Sequence, residues 1–391
     1  MSSYSDRILA TKASFIREIL KVTQDPSVIS FAGGLPNPIS FPQAALKQSA
    51  NNIIDKYGDK VFQYSTTEGY LPLRQWIADR YNKFHGLNIE PKNILITTGS
   101  QQALDLLAKV FLNKGDKVIV EEPGYLGAIQ TFTMFEVGFM PVTLEDDGLN
   151  LEELDNALKD SKVKFAYTVP NFQNPTGLTY SAEKRKQIAK LFAKYNKVLI
   201  EDDPYGDLRF KGEFLPYVGA EIPENSVMLG SFSKTVTPGM RTGFLITKNE
   251  ELMHHLVTAK QSSDLHTNIF CQYILADYFE HNDFASHVEK IRALYKEQSN
   301  TMLEAMKEYF PAEVKFTQPE GGMFIWVTLP KGKSALNLFE KCMAQKVAFV
   351  PGDPFYTNKT NVNTLRLNYT NSSKETIVDG IKRLAEALKN L

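Results

Sequence analysis

The chain has 391 residues, enough for two or three folding units or for one large α/β domain with a smaller companion. Its 43% hydrophobic, 11% aromatic and 23% charged content belongs to a folded globular protein and excludes a disordered one. With 44 basic against 45 acidic residues the formal charge is -1, so no global field draws the chain to nucleic acid or anionic membrane, and any anion site must be local.

The N-terminal run MSSYSDRILATKASFIREIL carries charges throughout, so neither a signal peptide nor a membrane span is expected. Only Cys271 and Cys342 occur, far apart and without metal-type spacing. No disulfide scaffold and no metal site are expected, and a reducing, cytoplasmic setting fits best. The first forty residues read as helix and then turn, with GGLPNP (33–38) as punctuation. They form an N-terminal arm (1–40) expected to pack against a small domain and cover the site.

Residues 41–284 read as a large domain. The apolar runs NILITT (93–98), KVIVEE (117–122), KFAYTV (164–169), KVLIED (197–202), SVMLGS (226–231) and TGFLIT (242–247) resemble strands buried on both faces. QQALDLLAKVFL (101–112) and AEKRKQIAKLFAKY (182–195) lie between them with helical spacing. Such alternation predicts an α/β fold with a mostly parallel, doubly wound sheet, and ligands at the carboxyl ends of its strands. From about residue 285 the pattern becomes a long helix, strands such as GGMFIWVTL (321–329) and VAFVP (347–351), and a closing helix near 373–390. This predicts a smaller α+β domain over 285–391.

Six passages carry candidate chemistry. In LGSFSKTVTPGMRTGF (229–244), Ser231, Ser233 and Arg241 supply hydroxyls and a planar guanidinium for a phosphate, beside Lys234, an amine suited to Schiff-base chemistry if removed from bulk water. A lone loop lysine is more often simply solvated. In TTGSQQALDL (97–106) a strand ends at Gly99, and Ser100 is expected to cap a helix beginning at Gln101, whose free N–H groups face an anion; a plain capped helix has the same pattern. In EDDPYGDLRF (201–210), Asp202 and Asp203 stand at a strand's end and point to opposite sides, one of them able to pair with a protonated ring nitrogen. FQNPTGLTYS (172–181), with Asn174, is by itself a turn signal. Tyr125 in EEPGYLGA (121–128) offers an aromatic face to a cofactor or to the core. Arg366 in NTLRLNYT (363–370) alternates among apolar residues, where it needs a carboxylate unless it faces the surface.

Taken together in chain order, these passages resemble the class I/II aminotransferases, which are fold type I pyridoxal-phosphate (PLP) enzymes. The likeness spans essentially the whole chain. The run SFIREIL, ISFAGGLPNP, FQYSTTEGY, TTGSQQALDL, GSFSK, DLHT, GGMFIW, VAFVPG and TLRL is similar to 2-aminoadipate and kynurenine aminotransferases. The resemblance implies a large domain with a seven-stranded type of mostly parallel sheet, the cofactor pyridoxal 5'-phosphate, and a homodimer with shared active sites.

It also implies roles. Lys234 matches the Schiff-base lysine, and Arg241, Ser231 and Ser233 the phosphate grip, with further phosphate contacts from Ser100 and Gln101. Tyr125 matches the aromatic stacked on the cofactor ring, Asp202 the partner of its nitrogen, and Asn174 and Tyr205 the donors to its hydroxyl oxygen. Arg366 matches the clamp on the substrate's α-carboxylate, helped by the backbone of Gly34 and by Asn174. Tyr64 matches a residue that reaches the neighbouring subunit's phosphate, and Arg17 a mobile arginine that meets a second carboxylate on acidic substrates.

The activity implied is ping-pong transfer of an amino group between an L-amino acid (2-aminoadipate, glutamate, leucine or aromatic type) and a 2-oxo acid, with Lys234, Asp202 and Tyr125 as catalytic residues. A PLP-dependent carbon–sulfur β-lyase on the same fold is the alternative within enzymes. A non-catalytic aminotransferase-like regulatory protein is the alternative outside them; such regulators carry an N-terminal winged-helix module, and here the resemblance begins almost at Met1. No nucleic-acid or membrane partner is expected.

Overall fold

The computed structural model describes residues 3–11 and 25–391. Arg17 lies outside them. The strands in chain order are β1 (Ile29–Ser30), β2 (Ile94–Thr97), β3 (Lys117–Glu122), β4 (Gly138–Glu145), β5 (Gly148–Leu149), β6 (Val163–Thr168), β7 (Val198–Asp202), β8 (Ser226–Ser231), β9 (Gly243–Ile246), β10 (Lys315–Phe316), β11 (Phe324–Thr328), β12 (Val347–Ala348), β13 (Val350–Pro351) and β14 (Thr364–Asn368).

One eight-stranded sheet runs in the order β2-β9-β8-β7-β6-β3-β4-β5. From β8 to β4 every pair is parallel, while β9 is antiparallel to both its neighbours and β5 is a two-residue antiparallel addition to β4. Without that addition it is the seven-stranded, mostly parallel type. β2, β8 and β9 bury every residue or all but the last, as expected for strands covered on both faces.

The exception is β4, which sequence reasoning did not find. Its GFMPVTLE carries no continuous apolar run, and Pro141 argues against a central strand. The structure accommodates Pro141 because β4 pairs along its length only with β3 and meets β5 only at Leu144 and Glu145.

The helix Gly99–Phe111 fills the β2–β3 crossover and buries Ala103, Leu104, Leu107 and Ala108. Burying a leucine side chain contributes about 1.5–3 kcal/mol, so this helix is anchored by its apolar face rather than by its ends. The helix Ala182–Tyr195 joins β6 to β7 in the same manner, starting at an N-cap in which Ser181 Oγ accepts from Lys184 N and stopping at Asn196 in the left-handed conformation.

After the helix Phe284–Tyr309, a four-stranded antiparallel sheet follows in the order β10-β11-β14-β13, backed by the helices Ala335–Ala344 and Lys374–Lys389. β14 is inside this sheet, and its Arg366 is paired in register with Trp326 and Val350. From the N-terminal side, β1 runs parallel to β12, with Ile29 opposite Val347. Phe31 continues the link by accepting from Asn368 N at 2.8 Å. The N-terminal segment thus reaches the strand that carries Arg366.

Among the described residues no helix is long and apolar enough to cross a membrane, and no group of histidine, cysteine and acidic residues is arranged to hold a metal ion.

Candidate active site

A cleft of about 480 Å³ opens where the strands β2, β3, β6, β7 and β8 end and where antiparallel β9 begins. This is the position that an open parallel sheet assigns to its ligand. The cleft is lined by Gly34, Ser100, Gln101, Tyr125, Asn174, Asp202, Tyr205, Ser231, Ser233, Lys234, Arg241 and Arg366. Each of these is a residue singled out by sequence, and the fold brings them into one wall.

At one end, Arg241 adopts φ +49 after the short turn Pro238–Met240, which aims its side chain back across the strand ends. Its Nη1 lies 3.5 Å from Ser233 Oγ, while Ser231 Oγ accepts from Ser233 N at 3.1 Å. Gly99 faces the same guanidinium: it has φ +73, and a Cβ there would lie 2.7 Å from Arg241 Nη2. Glycine is required at that point both by conformation and by the close approach.

The helix starts at Gly99, not at Gln101, which corrects the expectation that Ser100 caps it. Thr98 is the N-cap and makes no side-chain capping bond; the side chain of Gln102 instead reaches back to accept from Thr98 N at 2.8 Å. Ser100 therefore lies inside the first turn, with a buried hydroxyl that makes no well-formed hydrogen bond among the described residues but lies close enough to the Asp202 carboxyl to lower its pKa. The N–H groups of Gly99, Ser100 and Gln101 have no carbonyl to bond within the helix. The Gln101 side chain turns to Thr131 Oγ1 (2.5 Å) and Gly127 O (3.2 Å).

In the middle, Lys234 Nζ donates to Gly34 O at 2.7 Å. Its pKa falls to about 8, chiefly because the surrounding protein desolvates the ammonium and secondarily because Arg366 and Arg241 repel it. Facing it, Asp202 is 2% exposed, and its Oδ2 accepts from Tyr167 Oη at 2.7 Å. Oδ1 is buried without a partner. Burial pushes the Asp202 carboxyl up to about 7, with the Tyr167 bond pulling it down and the charge of Asp203 pushing it up. Asp203 points away, as strand alternation requires: its carboxylate accepts from Tyr217 Oη at 2.5 Å and Gly206 N at 2.8 Å. Burial also raises the phenol of Tyr125 to about 12, so that ring is neutral.

At the other end, Arg366 is 2% exposed and has no acidic partner among the described residues. Its Nη1 donates to Asn174 Oδ1 at 2.8 Å and its Nη2 to Ala32 O at 2.7 Å, while the guanidinium lies 4.3 Å from the ring of Phe324 and 5.3 Å from that of Phe355. Asn174 Nδ2 in turn reaches Tyr205 Oη at 3.5 Å. Burial lowers the Arg366 pKa to about 10, which leaves it protonated at neutral pH. Nε is buried and unpartnered.

A family model described as "Aminotransferase class I and II" matches residues 37–384. The chain is 42% identical to aromatic-amino-acid aminotransferase 1 of Thermococcus litoralis across 99% of its own length and 94% of the relative's. This chain belongs to the class I and II aminotransferases. Among solved structures, a Pyrococcus horikoshii kynurenine aminotransferase in complex with PMP superposes with a TM-score of 0.95 at 42% identity, over 99% of this chain and 97% of that one. The α-aminoadipate aminotransferase LysN of Thermus thermophilus, complexed with N-(5'-phosphopyridoxyl)-L-leucine, gives 0.92 at 40% identity over the same shares. Aminotransferase activity is therefore supported over the β-lyase and regulator alternatives.

One expected site residue of this aminotransferase stands apart from the cleft. Tyr64 is 80% exposed and sits edge-on to His266 at 5.9 Å, in a separate surface groove with Phe62 and Phe270. Arg17 lies outside the described residues.

Tyr167, Phe324 and Phe355 line the site and were missed. The register supplies the reason for Tyr167: it is opposite Ile200, which shares a strand face with Asp202. That relation does not exist until β6 and β7 are paired. A tyrosine in the strand-like run KFAYTV was the available signal.

Proposed function

We propose that the cleft holds pyridoxal 5'-phosphate and transfers an amino group between an L-amino acid and a 2-oxo acid. The observation that carries this reading is Arg366, a buried, protonated guanidinium with an unpartnered Nε and no acidic partner among the described residues. A buried charge of that kind calls for an external anion, and an amino acid's α-carboxylate matches it in size and charge.

The unpartnered buried atoms suit the cofactor as well. Ser100 Oγ, with Ser231, Ser233, Arg241, Gln101 and the free N–H groups of the first helical turn, fits a phosphate. Asp202 Oδ1 fits a protonated ring nitrogen, whose positive charge would favour the ionised carboxylate despite its burial. Tyr125 supplies the stacking face, and Asn174 and Tyr205 the hydrogen-bond donors to the ring hydroxyl oxygen.

When bound, the cofactor supplies an electron sink for the substrate's α-carbon. The chain does the rest. Lys234 would hold the cofactor through Nζ, and its free amine would take and return the substrate's α-proton; a pKa near 8 keeps a useful share of that amine neutral. Arg366 holds the carboxylate common to amino donor and oxo acceptor, so one clamp serves both half-reactions. Gly34 contributes its carbonyl beside Lys234, and Tyr167 orients Asp202.

The donors are of the 2-aminoadipate, glutamate, leucine and aromatic types, with Arg17 meeting the second carboxylate of acidic ones. The active form is a homodimer in which each copy offers Tyr64 to the other's phosphate; the exposure of Tyr64 and of Phe62 beside it supports this. The working division is an arm (1–40), a large cofactor-binding domain (41–284) and a small domain (285–391), in a cytoplasmic protein whose two cysteines stay free.

Initial rates with these donors against 2-oxoglutarate test the reading. Wild type forms glutamate, and Lys234→Ala forms none; a Lys234→Ala enzyme that still transaminates would overturn it. Arg17→Ala is expected to lose rate only on dicarboxylic donors.

A further inference from the structure

Two of the passages that line the cleft share a buried carboxylate with no role so far. Glu121 is the penultimate residue of β3, is 2% exposed, and has no basic partner among the described residues. Its Oε1 accepts from Val169 N at 2.9 Å and Tyr180 Oη at 2.5 Å, and its Oε2 accepts from Gln173 Nε2 at 2.9 Å. Val169 N and Gln173 Nε2 are donors only, one on each oxygen, so an amide in place of this carboxylate would turn an NH2 group toward another donor.

Gln173 cannot flip to relieve such a clash. Its Oε1 accepts from Thr176 N at 2.9 Å and Thr176 Oγ1 at 2.7 Å, and its Nε2 also donates to Pro123 O at 2.9 Å. It is fully buried, and every polar atom of its side chain is committed. The Glu121–Gln173 pair thereby bolts the turn that presents Tyr125 to the turn that presents Asn174. Asn174 follows Gln173 directly and accepts from Arg366 Nη1 at 2.8 Å.

We propose that Glu121 is a positioning residue for substrate recognition: acting through Gln173, it fixes Asn174 against Arg366 and so sets the clamp for the amino acid's carboxylate. The proposal rests on the assignment of Arg366 to that carboxylate. Glu121 touches neither substrate nor cofactor.

A double-mutant cycle with Glu121→Gln and Asn174→Ala tests it, reading KM and kcat for one amino donor at saturating PLP, PLP affinity of the apoproteins, and melting temperature. Loss of one buried hydrogen bond in the brace is expected to raise donor KM about tenfold, a larger effect than on kcat or on PLP affinity. In the Asn174→Ala background, Glu121→Gln is expected to add less than about twofold, because residues acting in series are not additive. An unchanged KM, a loss expressed only in kcat or melting temperature, or an additive cycle overturns the proposal. Gln173→Met severs the brace from its other side and decides the matter by the same cycle if Glu121→Gln does not fold. Arg366→Ala in the same assay keeps the two readings apart: if it leaves donor KM unchanged, the assignment of the clamp fails, whereas a raised KM there with none in Glu121→Gln rejects the brace alone.

Discussion

At the Ser100–Arg241 end of the cleft, a buried hydroxyl and the free N–H groups of a helix start stand without partners, whereas at the other end Arg366 is already held through both terminal nitrogens. The first end joins the turn after β2 to the stretch between β8 and β9, and the Ser231, Ser233 and Arg241 part of it comes from that one stretch. The second is assembled across the chain: Arg366 is separated from Asn174 by 192 positions and from Ala32 by 334. One end is an open grip that needs an anion to complete it, and the other is a preset fork whose geometry survives without one. Damage to the grip should therefore appear as lost cofactor affinity, and damage to the fork as lost affinity for amino and oxo acids alike.

The largest separation of the two is expected from Arg366→Ala. Removing two charge-assisted hydrogen bonds to a carboxylate should raise KM about a hundredfold for every donor and acceptor, with the affinity for PLP nearly unchanged. Steady-state kinetics beside a cofactor titration checks both halves, and a variant that lost PLP instead would erase the division. Gly99→Ala is the converse at smaller size. Its φ of +73 and the 2.7 Å approach to Arg241 Nη2 leave no room for a Cβ, and the strain should weaken PLP binding about tenfold while donor KM at saturating PLP holds.

The finest distinction lies on Lys234, where the two ends meet. Only the neutral amine attacks an aldehyde, so the rate at which apoprotein takes up PLP should rise about tenfold per pH unit on the acid side and level off above about 8, the pKa of the amine. Arg366→Ala removes one of the two repelling charges and should move that midpoint upward. Stopped-flow uptake across pH measures it; a plateau that starts only near the ordinary lysine value would show that the site does not tune this amine.

The same contrast between local and long-range assembly governs how much of the fold and of the site is legible in the sequence. KVIVEE and SVMLGS are strands over the residues chosen from their apolar runs, because a strand buried on both faces declares itself in composition. The open grip was legible for a similar reason: Ser231, Ser233, Lys234 and Arg241 are neighbours in sequence as well as in space. Strand β4, next to the two-residue edge strand β5, was not legible, since it is only partly buried and Pro141 masks it. Nor was the role of Gln102, whose side chain reaches back to the backbone N–H of Thr98. Tyr167 and Glu121 were hidden more deeply. Their partners Asp202 and Gln173 are set by strand register and by the meeting of two turns, which no local spacing encodes.

The attachment of PLP at Lys234 is tested most directly by mixing the protein with the cofactor, reducing with borohydride, digesting, and mapping the phosphopyridoxyl group by mass spectrometry. The modified peptide should contain Lys234, and added amino donor should suppress the modification by displacing the lysine. A stable phosphopyridoxyl group on a different lysine, or none at all in a protein that transaminates, would contradict the assignment.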